Sequence, residues 1–282
     1  MGNITDDIRQ HFDTFAELPF TEADSLALSQ LAYARMPDNV PRYHENAETA
    51  DGMIATVPIH DLLRAECYDD MFGKVWSPSM NVDLLRAMSE SPRWRNLRVG
   101  AYVDEFDAET TKQFSACVFE LGNGTLYVAF RGTDSSIVGW KEDFMMAFRR
   151  PVASQEAAAR YLTELAGHWA GPIMVGGHSK GGNLAVYAAA NVPSEIQERI
   201  TVVYSHDGPG FDEVFFDEDG SYALRRRSIN RYRARRSSAC CLRLVSMWKT
   251  AIRWSAATVP ASCSISHCTG KSIMANSYRL MD

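Results

Sequence analysis

The sequence predicts an α/β protein: a mostly parallel sheet flanked by helices and preceded by an N-terminal helical segment. Three observations carry that expectation. Between residues 97 and 206, short apolar runs with strand character alternate with longer stretches of helical period. One of these runs, Leu126-Tyr127-Val128-Ala129-Phe130, is almost continuously apolar, as a strand buried on both faces should be. Another, Ile173-Met174-Val175, leads into Gly177-His178-Ser179-Lys180-Gly181, with a small-residue helical pattern from Leu184 to Ala190 behind it. Strand–helix alternation favours parallel pairing through right-handed crossovers.

In chain order, residues 6–17 read as a first helix with Ile8, Phe12 and Phe15 on one side, broken by Leu18-Pro19-Phe20. Thr21 is the expected cap of a second helix, with Asp24 three residues on. Its stripe of Leu26, Leu28, Leu31 and Ala32 is core packing. Residues 36–58 are polar and contain prolines, and read as a loop or small cap element. Helical patterns cover Ile59–Tyr68 and Asn81–Met88. Strands are expected over Leu97–Val103 and Phe114–Phe119, with Gly122-Asn123-Gly124 as a hairpin turn before the Leu126 run. Helices over Gly139–Phe148 and Ser154–Trp169 precede the Ile173 strand, and Ile200–Ser205 is a last buried strand, ending in His206-Asp207-Gly208-Pro209-Gly210. This divides the chain into a helical or cap segment (1–96), a core (97–222) and a tail (223–282).

Composition excludes several classes. The 282 residues are 46% hydrophobic, enough for one large domain or two small ones. No stretch approaches the ~18 consecutive apolar residues of a membrane span. The acidic N-terminus lacks the apolar segment of a secretory signal, and Asp6 stands where a myristoylation motif wants Ser or Thr. The six cysteines form no framework; Cys67 and Cys117 read as buried thiols. Cys263 with His267-Cys268 lacks zinc-site spacing, and no metal or other cofactor is expected. The reading is a cytoplasmic protein with no membrane span and no specific nucleic-acid partner.

Gly-x-Ser-x-Gly between a strand and a helix is the setting of a nucleophile elbow. A Cβ at Gly177 or Gly181 would crowd so sharp a turn, in which Ser179 is expected at positive φ. The plainer alternative is a glycine-rich turn with an ordinary serine. Acyl transfer at serine also needs a base, an acid that orients it, and oxyanion donors. Arg131-Gly132-Thr133 follows a buried strand, so the N–H of Thr133 and that of Lys180 are the candidate donors, while Arg131 reads as a structural partner for a carboxylate. Asp207 reads equally as the orienting acid or as an aspartate that caps its own turn. For the base, Ser–Asp–His order leaves only His267 after Asp207. His206 is adjacent to Asp207 and so points to the other face. His178 reads as packing, His168 as surface or packing, and His11, His44 and His60 as bystanders.

Phe130-Arg131-Gly132-Thr133 and Gly177-His178-Ser179-Lys180-Gly181-Gly182 together resemble a bacterial branch of the α/β-hydrolases, a domain of unknown function related to class 3 lipases. The resemblance runs from about Phe15 to Phe211 and includes Gly139–Phe144 and Tyr204–Phe211. It implies an α/β-hydrolase-like fold, an oxyanion-hole role for Thr133 and a nucleophilic Ser179, with a small-molecule ester or lipid as substrate. Lys180 replaces an apolar residue common in true lipases, which argues against a long acyl chain. The resemblance ends near Tyr222, where a further strand and a C-terminal histidine are expected.

From there the composition changes sharply. Residues 221–282 hold twelve Lys and Arg against one acid, Asp282, and four of the six cysteines, although the whole chain carries −6. The tail is read as aberrant or disordered sequence produced by a frameshift; codons allowed for Ile265–Lys271 spell Ile-Ser-Leu-His-Trp-Lys in another frame. If native, it is a basic segment for an anionic surface. Two functions follow: a serine hydrolase of carboxylic esters, or a catalytically impaired hydrolase-like scaffold serving as an interaction module.

Overall fold

The computed structural model describes residues 3–43, 54–134, 137–146, 150–211 and 215. The readings of the tail, His267 included, lie outside these residues.

Helix α1 (Ile4–Gln10) is closed by a capping box: Asn3 and Asp6 each accept the other's backbone N–H at 3.0 Å. It is shorter than the expected 6–17. Phe12 is exposed, and Phe15 reaches the core from irregular chain, against Phe20 and Trp94. Helix α2 (Glu22–Leu31) starts at the expected cap, Thr21, with Asp24 completing the box. Asp24 also meets the buried Arg93 guanidinium at 2.6 and 2.9 Å, and that guanidinium donates further to the carbonyls of Asp13, Leu18 and Pro19. One arginine thus fastens the irregular stretch between α1 and α2.

Strand β1 (Thr56–Pro58) follows. The helix expected over Ile59–Tyr68 is instead two 3₁₀ turns, Ile59–Leu62 and Ala65–Cys67, because Leu63 (ψ 66°) and Arg64 (ψ 95°) leave the helical region between them. Helices α3 (Tyr68–Phe72) and α4 (Pro78–Glu90) complete the N-terminal part. The rest runs β2 (Arg98–Asp107), β3 (Lys112–Glu120), β4 (Leu126–Phe130), α5 (Ile137–Met146), α6 (Ala153–Gly167), β5 (Ile173–His178), α7 (Lys180–Asn191), α8 (Ser194–Gln197) and β6 (Ile200–His206).

The six strands lie in sequential order, β1 to β6. The sheet is mixed, which corrects the expected mostly parallel one: β1–β2, β2–β3 and β3–β4 are antiparallel, and only β4–β5 and β5–β6 are parallel. Loop length is the reason. Residues 108–111 join β2 to β3, and 121–125 join β3 to β4. Connections this short make hairpins, since a parallel return needs a dozen or more residues. Gly122 and Gly124 turn the second hairpin at φ 74° and 78°. From β4 onward the chain has the strand–helix–strand plan, so the expected parallel topology is found in that half.

Every residue of β4 is buried, and its side chains alternate between two cores. Tyr127 and Ala129 face the layer of α1, α2 and α4, together with Cys117, Phe119, Val202 and Tyr204. Leu126, Val128 and Phe130 face α6 and α7, with Val118, Val175 and Val203. The N-terminal helices therefore cover one face of the sheet and the crossover helices the other. Among the described residues no helix is long and apolar enough to cross a membrane.

Candidate active site

Strand β5 lies between β4 and β6, parallel to both. After it the chain turns abruptly: Ser179 has φ 55° and ψ −127°, and α7 begins at the next residue. Positive φ is rare for a residue with a Cβ and persists only where the surroundings enforce it. Glycines enforce it here. A Cβ on Gly181 would lie 2.1 Å from the Phe130 carbonyl oxygen, and one on Gly177 would lie 2.4 Å from Gly181 C and 2.6 Å from that same oxygen. The turn therefore packs backbone to backbone against the end of β4. Ser179 N–H donates to the His206 carbonyl at 2.8 Å, fixing the turn to β6 as well. His178 and Lys180 are buried on either side, whereas Ser179 is half-buried. The first N–H groups of α7 have no intrahelical acceptor and give this point a favourable field for negative charge.

The loop after β4 faces the turn. Gly132 comes so near that a Cβ there would lie 2.7 Å from the His178 carbonyl oxygen. Arg131 is buried and donates to Asp104 at 2.8 Å, the structural role expected of it. Thr133 is buried, and its hydroxyl donates to Asp143 of α5. Burial pushes the Asp143 carboxyl up to about 6, against the lowering pull of Lys180 and of the Thr133 hydrogen bond. Asp143 Oδ1 is buried and has no hydrogen-bond partner among the described residues.

The side chain of Lys180 runs inward. It is 0% exposed and ion-paired to Glu142 at 3.0 Å. Its charge is not presented to a ligand, so Lys180 does not disfavour a long acyl chain, contrary to expectation.

Asp207 follows the last residue of β6, with φ 54°, and is exposed. Its neighbouring loop is held to α7, for Asn183 donates to the Pro209 carbonyl at 2.9 Å and accepts from Gln155 at 2.8 Å. The histidines before Ser179 and Asp207 both turn to α2 and the residues just after it. The Tyr33 hydroxyl lies 2.9 Å from His178 Nδ1, and the Ser25 hydroxyl 2.8 Å from His206 Nε2. Ser25 and Ser29, buried on α2, also meet the Tyr127 hydroxyl at 2.7 and 3.2 Å. Burial lowers the basicity of His178, opposed by Asp207, and burial with His178 lowers His206 to about 4. No hydrogen bond reaches the Ser179 hydroxyl among the described residues.

Of the sequence-predicted residues, Ser179, Thr133, Lys180 and Asp207 thus gather at the carboxyl ends of β4, β5 and β6. His267 lies outside the described residues. Asp143, Glu142 and Tyr33 were missed. The signal for the first two was the stretch Gly139–Phe144 itself, an acidic pair in the helix that follows the Arg131 loop. Tyr33, just past an apolar helix, gave no signal.

Fold and site define a mixed α/β protein carrying a strained serine at a strand-to-helix junction. Residues 88–241, more than half of the chain, match the Mbeg1-like family, and the chain belongs to that lipase-like family. The match begins later than the expected Phe15 and runs on past Tyr222, where the resemblance was expected to end. Comparison with curated proteins and with solved structures found no match.

Proposed function

We propose that the chain is a serine hydrolase of the lipase/esterase type, on an α/β-hydrolase-like core, acting in the cytoplasm on a carboxylic ester of a small molecule or lipid. One observation carries this reading: Ser179 sits at φ 55° and ψ −127° between a buried parallel strand and a helix N-terminus, against the Arg131–Thr133 loop. Strain of this kind is held where a hydroxyl must project at a fixed point. In the reading, Ser179 Oγ attacks the ester carbonyl carbon and its proton passes to a histidine oriented by Asp207. The N–H groups of Thr133 and Lys180 receive the oxyanion; losing one such donor costs about 3–4 kcal/mol. The histidine returns the proton to the leaving alcohol, and then activates the water that releases the acid. His267 is the residue assigned as this histidine, by Ser–Asp–His order.

The test is labelling of the full chain by a fluorophosphonate, with turnover of a short-chain nitrophenyl ester. Ser179→Ala should abolish both, and a folded protein that neither labels nor turns over would overturn the reading. A second reading has its own support. The histidines flanking Ser179 and Asp207 are engaged by Tyr33 and Ser25. A chain without a working base is an impaired scaffold, left with the ~10³–10⁴-fold that oxyanion hole and binding supply.

A further inference from the structure

Two consecutive carboxylates of α5 hold the side chains of the two residues assigned as oxyanion donors. Asp143 accepts from the Thr133 hydroxyl, and Glu142 Oε2 lies 3.0 Å from Lys180 Nζ. The second contact is the unusual one. A residue that only had to begin a helix would not bury an ammonium, since an unpaired buried charge is costly. Here both partners are sequestered, Lys180 and Glu142 each at 0% exposure.

The pair is fully satisfied. Lys180 Nζ donates to Glu142 Oε2, to the Gln113 carbonyl at 2.6 Å and to Gln113 Oε1 at 3.0 Å. Glu142 Oε2 also accepts from Gln113 N–H, and Glu142 Oε1 from Ser154 N–H, both at 3.0 Å. The four residues come from α7, α5, β3 and the first turn of α6. A buried ion pair whose charged atoms all have partners is held in one arrangement, even though the Ser154 hydroxyl beside it is buried without a hydrogen-bond partner among the described residues. Because adjacent residues of a helix diverge by about 100°, one turn of α5 can grip the Arg131 loop with Asp143 and the elbow helix with Glu142.

We propose that the Lys180–Glu142 ion pair is a positioning device that sets the spacing of the two oxyanion donors, by tying the first residue of α7 to the helix that also holds Thr133. Its catalytic meaning rests on the serine-hydrolase reading; its structural content does not. Glu142 is a positioning residue. Lys180 acts through its backbone in the reaction and through its side chain in the tie.

The experiment uses the full chain with Lys180→Met and Glu142→Gln combined, which removes both charges at nearly constant volume. Hydrogen exchange is followed over residues 131–134 and 179–183. Fluorophosphonate labelling gives the rate at Ser179, and a short-chain nitrophenyl ester gives kcat and KM. The double variant should fold and melt above the Glu142→Gln single variant, which leaves Lys180 charged and unpaired. Both segments should exchange about tenfold faster than in the parent. Labelling and kcat should fall about 100-fold, the cost of a displacement of about 1 Å, with KM changed less than twofold. Parental exchange and labelling in a folded double variant would overturn the proposal. Should the double variant not fold, Glu142→Asp, which keeps the charge and withdraws it by one methylene, should speed exchange in 179–183 without speeding it globally; unchanged exchange there would equally overturn it. A folded parent that never labels sinks the hydrolase reading alone, because the exchange comparison still decides the tie.

Discussion

Ser179 and Asp207 leave neighbouring parallel strands at the same level. His178 and His206 are register partners, and the next residue of each strand turns with φ 55° and 54° respectively. The two turns brace one another through the Ser179 N–H bond to the His206 carbonyl. Left-handed backbone costs roughly 1–2 kcal/mol for a residue with a Cβ, somewhat less for Asp. Glycine would relieve that cost at 207, and a purely structural residue would tolerate it. We expect Asp207→Gly to remain folded, while phosphonate labelling of Ser179 falls at least about 100-fold. Thermal melting and labelling kinetics on the same preparation check both halves. A variant that labels like the parent would make Asp207 a turn residue only.

The glycines beside Ser179 yield a steric prediction. At Gly181 a Cβ would lie 2.1 Å from the Phe130 carbonyl oxygen, a backbone atom that cannot rotate away. Gly181→Ala should therefore separate the elbow from the Arg131 loop and abolish labelling, with a stability loss of about 2–4 kcal/mol from the displaced backbone. Gly167→Ala is the control. Nothing lies within 4 Å of a Cβ there, and the variant should match the parent or gain a few tenths of a kcal/mol. Urea midpoints for the two variants measure the difference.

These local features were readable in the sequence because neighbours in the chain enforce them. Gly177 and Gly181 around Ser179, Thr21 with Asp24, and Gly122 with Gly124 each act within a few residues. The sheet was half-read. The hairpin glycines were recognised, but the strand–helix rhythm that begins only at Leu126 was extended to the whole sheet. Lys180 illustrates what local reading cannot give. Its partner Glu142 is 38 residues away, and whether a lysine after the elbow serine faces a substrate or a buried carboxylate is decided by packing alone. Tyr33 and Ser25 are more distant still, 145 and 181 residues from the histidines they meet.

Arg93 should be the most costly single truncation in the N-terminal layer. Its guanidinium satisfies the buried Asp24 carboxylate and three carbonyls at once. Arg93→Ala leaves Asp24 charged and largely buried, a situation that typically costs about 3–5 kcal/mol. Chemical denaturation should show that loss. The exposed pair Arg64–Glu66 is the comparison, and Arg64→Ala should leave the denaturation midpoint nearly unchanged.

Two partly buried groups give stability opposite slopes in one pH window. Asp143 is raised to about 6, so the folded state holds a proton that the unfolded chain gives up first. Its stabilisation is complete below the ordinary carboxylate pKa and is lost as pH rises to about 6. His206 is lowered to about 4, so the unfolded chain is the one that holds the proton, and stability rises as pH climbs from about 4 to the ordinary imidazole value. Asp143→Asn, which keeps an acceptor for Thr133, should make the melting temperature climb more steeply between about pH 4 and 6 than in the parent. His206→Gln should make it climb less, or fall. Parallel curves for all three proteins would show that neither group titrates as its surroundings dictate.

The way His178 and His206 are held bears on the choice of base. His178 and His206 face α2 and the residue segment just after it, and His206 at about 4 is too weakly basic to draw a proton from serine efficiently at neutral pH. A histidine with an ordinary value near 6.5 suits the task far better. We expect His178→Asn and His206→Gln, in protein shown to be folded, to label within about fivefold of the parent. His267→Ala should reduce labelling about 10³-fold or more, towards the Ser179→Ala background. The pH profile adds a signature that misfolding cannot imitate: a labelling rate with its midpoint near 4 would mark His206 as the base, and the parent should show no midpoint there. If His267→Ala labels as the parent does and His206→Gln does not, with a midpoint near 4, the base is His206, and its bond to Ser25 must break for the reaction to proceed.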